Sequence, residues 1–211
     1  MRLALCALVA VLVLSCSAYA ANTAYTSESA FLSSIAPGYY LEQFSGFSDG
    51  DPLGGDPSPT DYNSPTVNGF SWNVHAPNGL WSLSGALSAA YPYEALVITF
   101  RGAPVTAVGG IFEATDFEGQ PIPGGLVHVA LADGTTQTVT SSGFAGFTST
   151  TAIQSISITP VACDEGNWSA FRHLYVGTAS GAASVPEPSS IVSILTGLVA
   201  AGSMVMRRRR G

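Results

Sequence analysis

Lysine is absent from all 211 residues, and only seven arginines supply positive charge. Five of those lie at the ends, Arg2 and Arg207 to Arg210, so the stretch between keeps only Arg101 and Arg172. A nucleic-acid binder needs a basic footprint on its surface, and none can be assembled here. Cysteine is nearly absent too. Cys6 and Cys16 lie close to the N-terminus and Cys163 stands alone in the middle. An internal disulfide framework is thereby excluded from the middle region, as is zinc-cluster spacing. Asp164 and Glu165 follow Cys163 and disfavour its thiolate, so it reads as a bystander. Charged residues make up only 10% of the chain, against roughly a quarter in an average domain. Nor is there a Gly-x-Ser-x-Gly elbow, a phosphate loop or a His-Glu-x-x-His pair. No catalytic residue set and no cofactor is expected on that basis.

What is present begins with the two ends. Arg2 precedes an unbroken apolar run from Leu3 to Leu14, and Ala18-Tyr19-Ala20 follows. A positive start, a short apolar stretch and small residues at Ala18 and Ala20 form the three parts of a secretory signal peptide over residues 1–20, cut after Ala20. The run is too short to span a bilayer. A second reading of the same segment takes Val13-Leu14-Ser15-Cys16 as a lipobox, in which Cys16 would be lipidated. At the other end, Pro186-Glu187-Pro188 is followed by an apolar run over residues 191–206 and then by Arg207, Arg208, Arg209 and Arg210. As a helix that run would extend roughly 24 Å, close to the ~30 Å hydrocarbon core. Clustered arginines behind an apolar span stay on the cytoplasmic side, so the preceding region is expected outside, with the C-terminal helix in the membrane.

The order Pro-Glu-Pro, apolar helix and arginine cluster, together with a signal peptide, resembles the PEP-CTERM sorting signal of bacterial exported proteins. The resemblance covers residues 185–211, with Pro186, Glu187 and Pro188 as the motif. It implies recognition by an exosortase-type processing enzyme near that motif, in an exopolysaccharide-rich envelope. It concerns an address and implies no activity.

Between the ends, residues 21–184 carry thirteen carboxylates against two arginines, a formal charge of −11. About 164 residues suffice for one domain with its own core. Gly, Thr, Ser, Val and aromatic residues dominate, which favours strands over helices. Phe70 to His75 alternates, with Phe70, Trp72 and Val74 on one face. Glu94 to Arg101 reads as a strand buried on both faces, and Val105 to Thr115, Ile153 to Thr159 and Phe171 to Val176 as further strands. Leu126 to Ala132 and Thr135 to Ser141 flank Asp133-Gly134, expected as a type I′ hairpin turn. Only Ser27 to Ile35 suggests a short helix, with Phe31 and Ile35 on one side. The expected fold is an all-β, antiparallel sandwich of jelly-roll kind over residues 21–179, with a flexible linker at 180–184. Ile98 to Phe100, Leu131 to Thr135, Gly146 to Ser149 and Leu174 to Gly177 also resemble a sandwich ectodomain common among PEP-CTERM proteins. In that family Asp-Asn often precedes the last apolar pair, where this chain has Arg172-His173.

Candidate chemistry is sparse. The stretch Ser48 to Pro65 is a Gly-, Pro- and Asp-rich surface loop, and Asp49, Asp51, Asp56 and Asp61 make it the one candidate for calcium. Pro52 follows Asp51 and no glutamate closes the loop, so solvated turn aspartates explain it as well. His75 and His128 fall on polar strand faces, whereas His173 shares a face with Phe171 and Tyr175 by alternation. Glu113, Asp116 and Glu118 cluster near a strand end, as a glycosidase carboxylate pair or an exposed acidic turn would. Tyr62, Trp72, Trp81, Tyr91, Tyr93 and Trp168 offer faces on which sugar rings stack, with Trp72 a core residue and Trp81, Tyr91 and Tyr93 the more exposed. The sequence is therefore read as a non-catalytic, exported envelope or matrix protein associated with exopolysaccharide. A secreted polysaccharide-active enzyme and a lipoprotein anchored through Cys16 are the alternatives.

Overall fold

A computed structural model describes residues 21–47, 58–83, 85–161 and 166–181. The expected signal segment and sorting tail, Cys163, and Asp49, Asp51 and Asp56 of the calcium candidates lie outside the described residues. Among the described residues no helix is long and apolar enough to cross a membrane.

Two antiparallel sheets and one helix make up the body. The first sheet runs β1 (Asn22–Tyr25), β11 (Gly143–Ser149), β8 (Ala107–Thr115), β13 (Trp168–Gly177), β6 (Ala86–Ala89) and β5 (Leu80–Leu83), with β2 (Tyr40–Glu42) also paired to β13. The second runs β10 (Thr136–Thr140), β9 (Leu126–Leu131), β12 (Ser155–Pro160), β7 (Leu96–Gly102), β4 (Phe70–His75) and β3 (Asp61–Asn63). Their facing sides share one core. Trp72, Val74 and Ile98 from the second sheet pack with Phe112, Phe171 and Leu174 from the first. Phe44 touches Trp72 and Phe171 edge-on, at ring centroids 6.0 and 5.2 Å apart.

The alternation read in β4 is borne out: Phe70, Trp72 and Val74 are buried. For β7 the expectation fails. Leu96, Ile98 and Phe100 face the core, but Thr99 and Arg101 are exposed, so only one face is covered. β8 is buried on both sides, and so is the shorter β6. One end of the outer face of β8, at Ala107 and Gly109, is covered by the helix α1 (Glu28–Ser34), which Ser27 caps by accepting a hydrogen bond from the Ala30 N–H. Seven residues are too few to hold a helix by propensity, so packing fixes it. Phe31 and Ile35, expected on one side, are both buried there, beside Ala107 and Tyr175. Gly109 of β8 lies opposite Gly146 of β11. This glycine pair leaves the flat floor on which the Phe31 ring rests: a Cβ on Gly146 would stand 2.7 Å from Phe31 Cδ2. Tyr175 donates its phenol hydrogen to Glu28 under this helix. Burial, then that hydrogen bond, pushes the phenol's pKa far above the ordinary tyrosine value.

The Asp133-Gly134 hairpin forms, with a different turn. Gly134 has φ +90°, whereas Ala132 and Asp133 stay at negative φ. The Gly134 N–H reaches Leu131 O at 3.0 Å, and Leu131 N–H reaches Thr135 O at 2.8 Å. That is a type I turn followed by a left-handed glycine, the three-residue alternative to the expected type I′. Asp133 accounts for the choice, because its carboxylate accepts the Thr135 N–H and Asn22 Nδ2–H. The stretch expected to be loop to Pro65 contains β3, which pairs Asp61 with His75 and Asn63 with Asn73. Ser180, expected to open the linker, donates its N–H to Ser34 O at 2.7 Å, so the packed body extends at least that far.

Adding a methyl group at the glycine floor tests this account. Gly146→Ala is expected to cost about 1–3 kcal/mol through overpacking against Phe31. The cost should shrink in a Phe31→Ala background, as read from urea unfolding midpoints of the single and double variants.

Candidate functional site

The outer face of the seven-stranded sheet carries the unusual chemistry, and β13 sets it out. Along Trp168, Ala170 and Arg172 the side chains point outward, opposite Thr115, Glu113 and Ile111 of β8. Then the register slips by one residue between Arg172 and Tyr175, and His173 adopts φ +52°. This β-bulge turns Leu174 and Val176 into the core and Tyr175 outward to the helix. His173 therefore does not share a face with Phe171 and Tyr175. Strict alternation assigned it there, and the extra residue resets the alternation. The Arg172-His173 pair, where the resembling family has Asp-Asn, is the bulge itself.

Arg172 reaches Glu113, with Nη2 at 2.7 Å and Nε at 3.0 Å from the same carboxylate oxygen. Ser142 donates to the other oxygen at 2.8 Å. Glu113 is only 2% exposed, so these partners replace the water its carboxyl loses on burial. Asp116 acts differently: its Oδ1 accepts the N–H groups of Glu118 and Gln120, both at 2.9 Å, and so shapes the turn after β8. Glu118 is exposed. The three carboxylates expected as a cluster are thus an ion-pair partner, a turn former and a solvated side chain.

Beyond the ion pair the same face opens into a cleft of about 190 Å³. Trp81 of β5 lies opposite Ser88 of β6, and Ser88 lies opposite Ala170 of β13. Trp168 and Thr115 stand one outward position further along. Trp81 and Trp168 therefore flank a floor containing Ser88, with Asp116 and Phe117 at the rim. The indole N–H of Trp168 is fixed to Ala90 O at 3.2 Å. Gly166, at φ +90°, lies against the same ring; a Cβ there would meet Trp168 Cζ3 at 3.0 Å. Thr115 is fully buried, yet its Oγ1 has no hydrogen-bond partner in the protein. Phe117 is 79% exposed at the tip of its turn. Tyr91 and Tyr93 are also exposed, and the Tyr93 N–H bonds Asn167 O, next to Trp168. Aromatic surface thus concentrates at this end of the molecule.

Of the six aromatic residues singled out from sequence, Trp72 is core, as expected, and Tyr62 packs on Trp72 and Phe47. Trp81 and Trp168 come together in the cleft, both half-buried. Ser88 and Thr115 were not anticipated, because no local motif marks them; four-strand register alone brings them here. Phe117, an apolar residue between Asp116 and Glu118, did carry a legible signal.

Of the calcium candidates, Asp61 is the one among the described residues. It lies on β3, accepts from Thr60 Oγ1 at 2.9 Å and pairs with His75 Nδ1 at 3.2 Å. Desolvation raises its pKa, but hydrogen bonds from Thr60, His75 and Asn73 outweigh this and hold it below the ordinary aspartate value. Among the described residues no group of three or more His, Cys, Asp or Glu side chains is arranged to hold a metal. His128 Nδ1 lies 3.2 Å from Thr138 Oγ1, on another sheet face from the cleft. A second hollow, of about 250 Å³ and mostly apolar, lies between Asp133 and Ile153.

No protein-family model matches the chain, and no curated protein matches it. Among solved structures it is similar to a family two carbohydrate esterase from Cellvibrio japonicus, at 8% identity and a TM-score of 0.29. The match covers 76% of this chain and 35% of that one, so this chain spans about a third of that protein's length. A likeness of that degree carries no argument.

The buried ion pair yields a prediction. Arg172→Met should destabilise the fold by about 3–5 kcal/mol, because it strands the Glu113 carboxylate. Replacing both residues by methionine should restore part of that loss, as measured by denaturant unfolding of the three variants.

Proposed function

We propose that this chain is an exported, non-catalytic envelope or matrix protein. Its sandwich is displayed toward extracellular polysaccharide, and an exosortase-type enzyme sorts it through the C-terminal tail. The observation that carries this reading is the polarity of the folded body. Asn22 pairs with Ser149, Thr148 with Ala107, and Ala107 with Gly177. The first and last residues of the packed body, Ala21 and Ser180, therefore leave from one end of the seven-stranded sheet. The aromatic cleft opens at the other end, where Trp168 lies opposite Thr115. Ten residues of β13 separate the two ends, about 30 Å at ~3.3 Å per residue. A domain tethered at Ser180 would present its aromatic end away from the membrane.

The composition supports the same reading. An acidic, lysine-free domain stays soluble beside a membrane and repels anionic polymers unless divalent cations bridge them. The jelly-roll topology belongs to this proposal and rests on strand order: from β7 to β9 and again from β10 to β13, successive strands alternate between the two sheets.

Intact mass and terminal-peptide sequencing of the protein from its own envelope and medium test the reading. A mature chain beginning at Ala21 and ending near Pro186 to Pro188 is expected. Retention of Arg207 to Arg210 in the membrane fraction of a host with an active exosortase would refute the sorting step, and a chain beginning at a lipidated Cys16 would replace the signal-cleavage reading.

A further inference from the structure

We propose that the cleft between Trp81 and Trp168 binds one neutral pyranose unit, its apolar face on the aromatic walls and a hydroxyl at Asp116. This deepens the polysaccharide-facing reading above and rests on it. Size is the first argument. A volume of about 190 Å³ equals roughly six water molecules at ~30 Å³ each, below the ~300 Å³ at which pockets for larger organic ligands begin. A single ring, at a chain end or on a side branch, suits that scale; a buried stretch of polymer does not.

Chemistry narrows the class. A pyranose has an apolar C–H face and a rim of hydroxyls. Trp81 and Trp168 supply aromatic walls for the face, and Phe117 extends them at the lip. A buried hydroxyl without a partner is costly, and a hydroxyl both donates and accepts. Thr115 Oγ1 lacks a partner, but Thr115 is fully buried and a ligand hydroxyl does not reach it. Ser88 is already committed, since its hydroxyl bonds Ala89 O at 2.9 Å and Ser169 O at 3.2 Å.

Charge excludes the acidic sugars. The residues lining the cleft include Asp116 and no Lys, Arg or His. Among the described residues, Arg172 is bound to Glu113, and Arg101 stands on β7 of the other sheet beside Asn63. A uronate carboxylate would enter beside Asp116 with no cation to meet it. Asp116 keeps Oδ1 on its two backbone N–H groups, so its second oxygen remains an acceptor for a neutral ring's hydroxyl.

The test titrates the full-length exported protein with methyl hexopyranosides and with the matching methyl hexuronides, read by tryptophan fluorescence and saturation-transfer NMR. Neutral glycosides should bind at least about tenfold more tightly than uronides. Trp81→Ala should abolish binding while the protein stays folded by circular dichroism. Thr115→Val should leave binding unchanged, while the melting temperature holds or rises because a buried unpaired hydroxyl is gone. Asp116→Asn should narrow the gap between neutral and acidic sugars. Uronides that bind as well as neutral sugars would overturn the neutral-ring inference and leave the polysaccharide reading standing. Unchanged affinity in Trp81→Ala would overturn the assignment of the ring to this cleft. A wild-type protein that binds neither series would overturn the glycan reading itself.

Discussion

The one-residue bulge at His173 is the constraint on which the outer face depends. β13 is hydrogen-bonded along its length to β8, and in turn to β6 and β2. Without the extra residue, strict alternation would carry Leu174 and Val176 to the outer face and leave the Tyr175 phenol in the apolar core. With it, two aliphatic side chains enter the core and one phenol meets Glu28. Burying two such side chains is worth roughly 3–6 kcal/mol, and a left-handed non-glycine residue costs about 1–3 kcal/mol, so the bulge is favoured on balance. It also lets one strand serve three environments in sequence: the cleft at Trp168, the ion pair at Arg172 and the helix contact at Tyr175.

Those three environments stabilise the face by different means. Around Phe31 the gain is apolar burial on a glycine floor, which tolerates no added atoms. At Glu113 it is charge pairing, where the loss on removing one partner far exceeds the net gain of having both. The cleft contributes least to stability. It keeps a buried hydroxyl unsatisfied and an aromatic ring at the solvent boundary. A patch that the fold holds at some expense, beside two well-satisfied ones, is where binding is most reasonably sought.

Much of the fold was legible in the sequence because alternation and turn residues act locally. Phe70 to His75 declared its buried face, Ser27 its helix cap, and Asp133-Gly134 its reversal. What was illegible depended on the third dimension. Whether β7 or β8 has both faces covered is decided by where α1 docks, some 75 residues away in the chain. The turn at Asp133 took its particular form through Asn22, 111 residues distant. Strands as short as β2 and β3 offer three residues each, too few for a period to show. For the site, residue types were readable and their convergence was not. Trp81 and Trp168 could be named as aromatic candidates, but only the pairing of β5, β6, β13 and β8 brings them to one cleft with Ser88 and Thr115 between them.

The placement of that cleft follows from the same topology. Because β1 pairs with β11 beside Ala107 and the end of β13 pairs with Ala107 itself, Ala21 and Ser180 lie at one end of the sheet. The other end of the sheet carries the cleft. It consists of turns, and turns tolerate exposed aromatic residues such as Tyr91, Tyr93 and Phe117 without disturbing a ladder. The Ala36 N–H and Thr178 O close the near end at 2.8 Å, beside the Ser34–Ser180 bond. The continuous strand β13 joins that end of the sheet to the cleft.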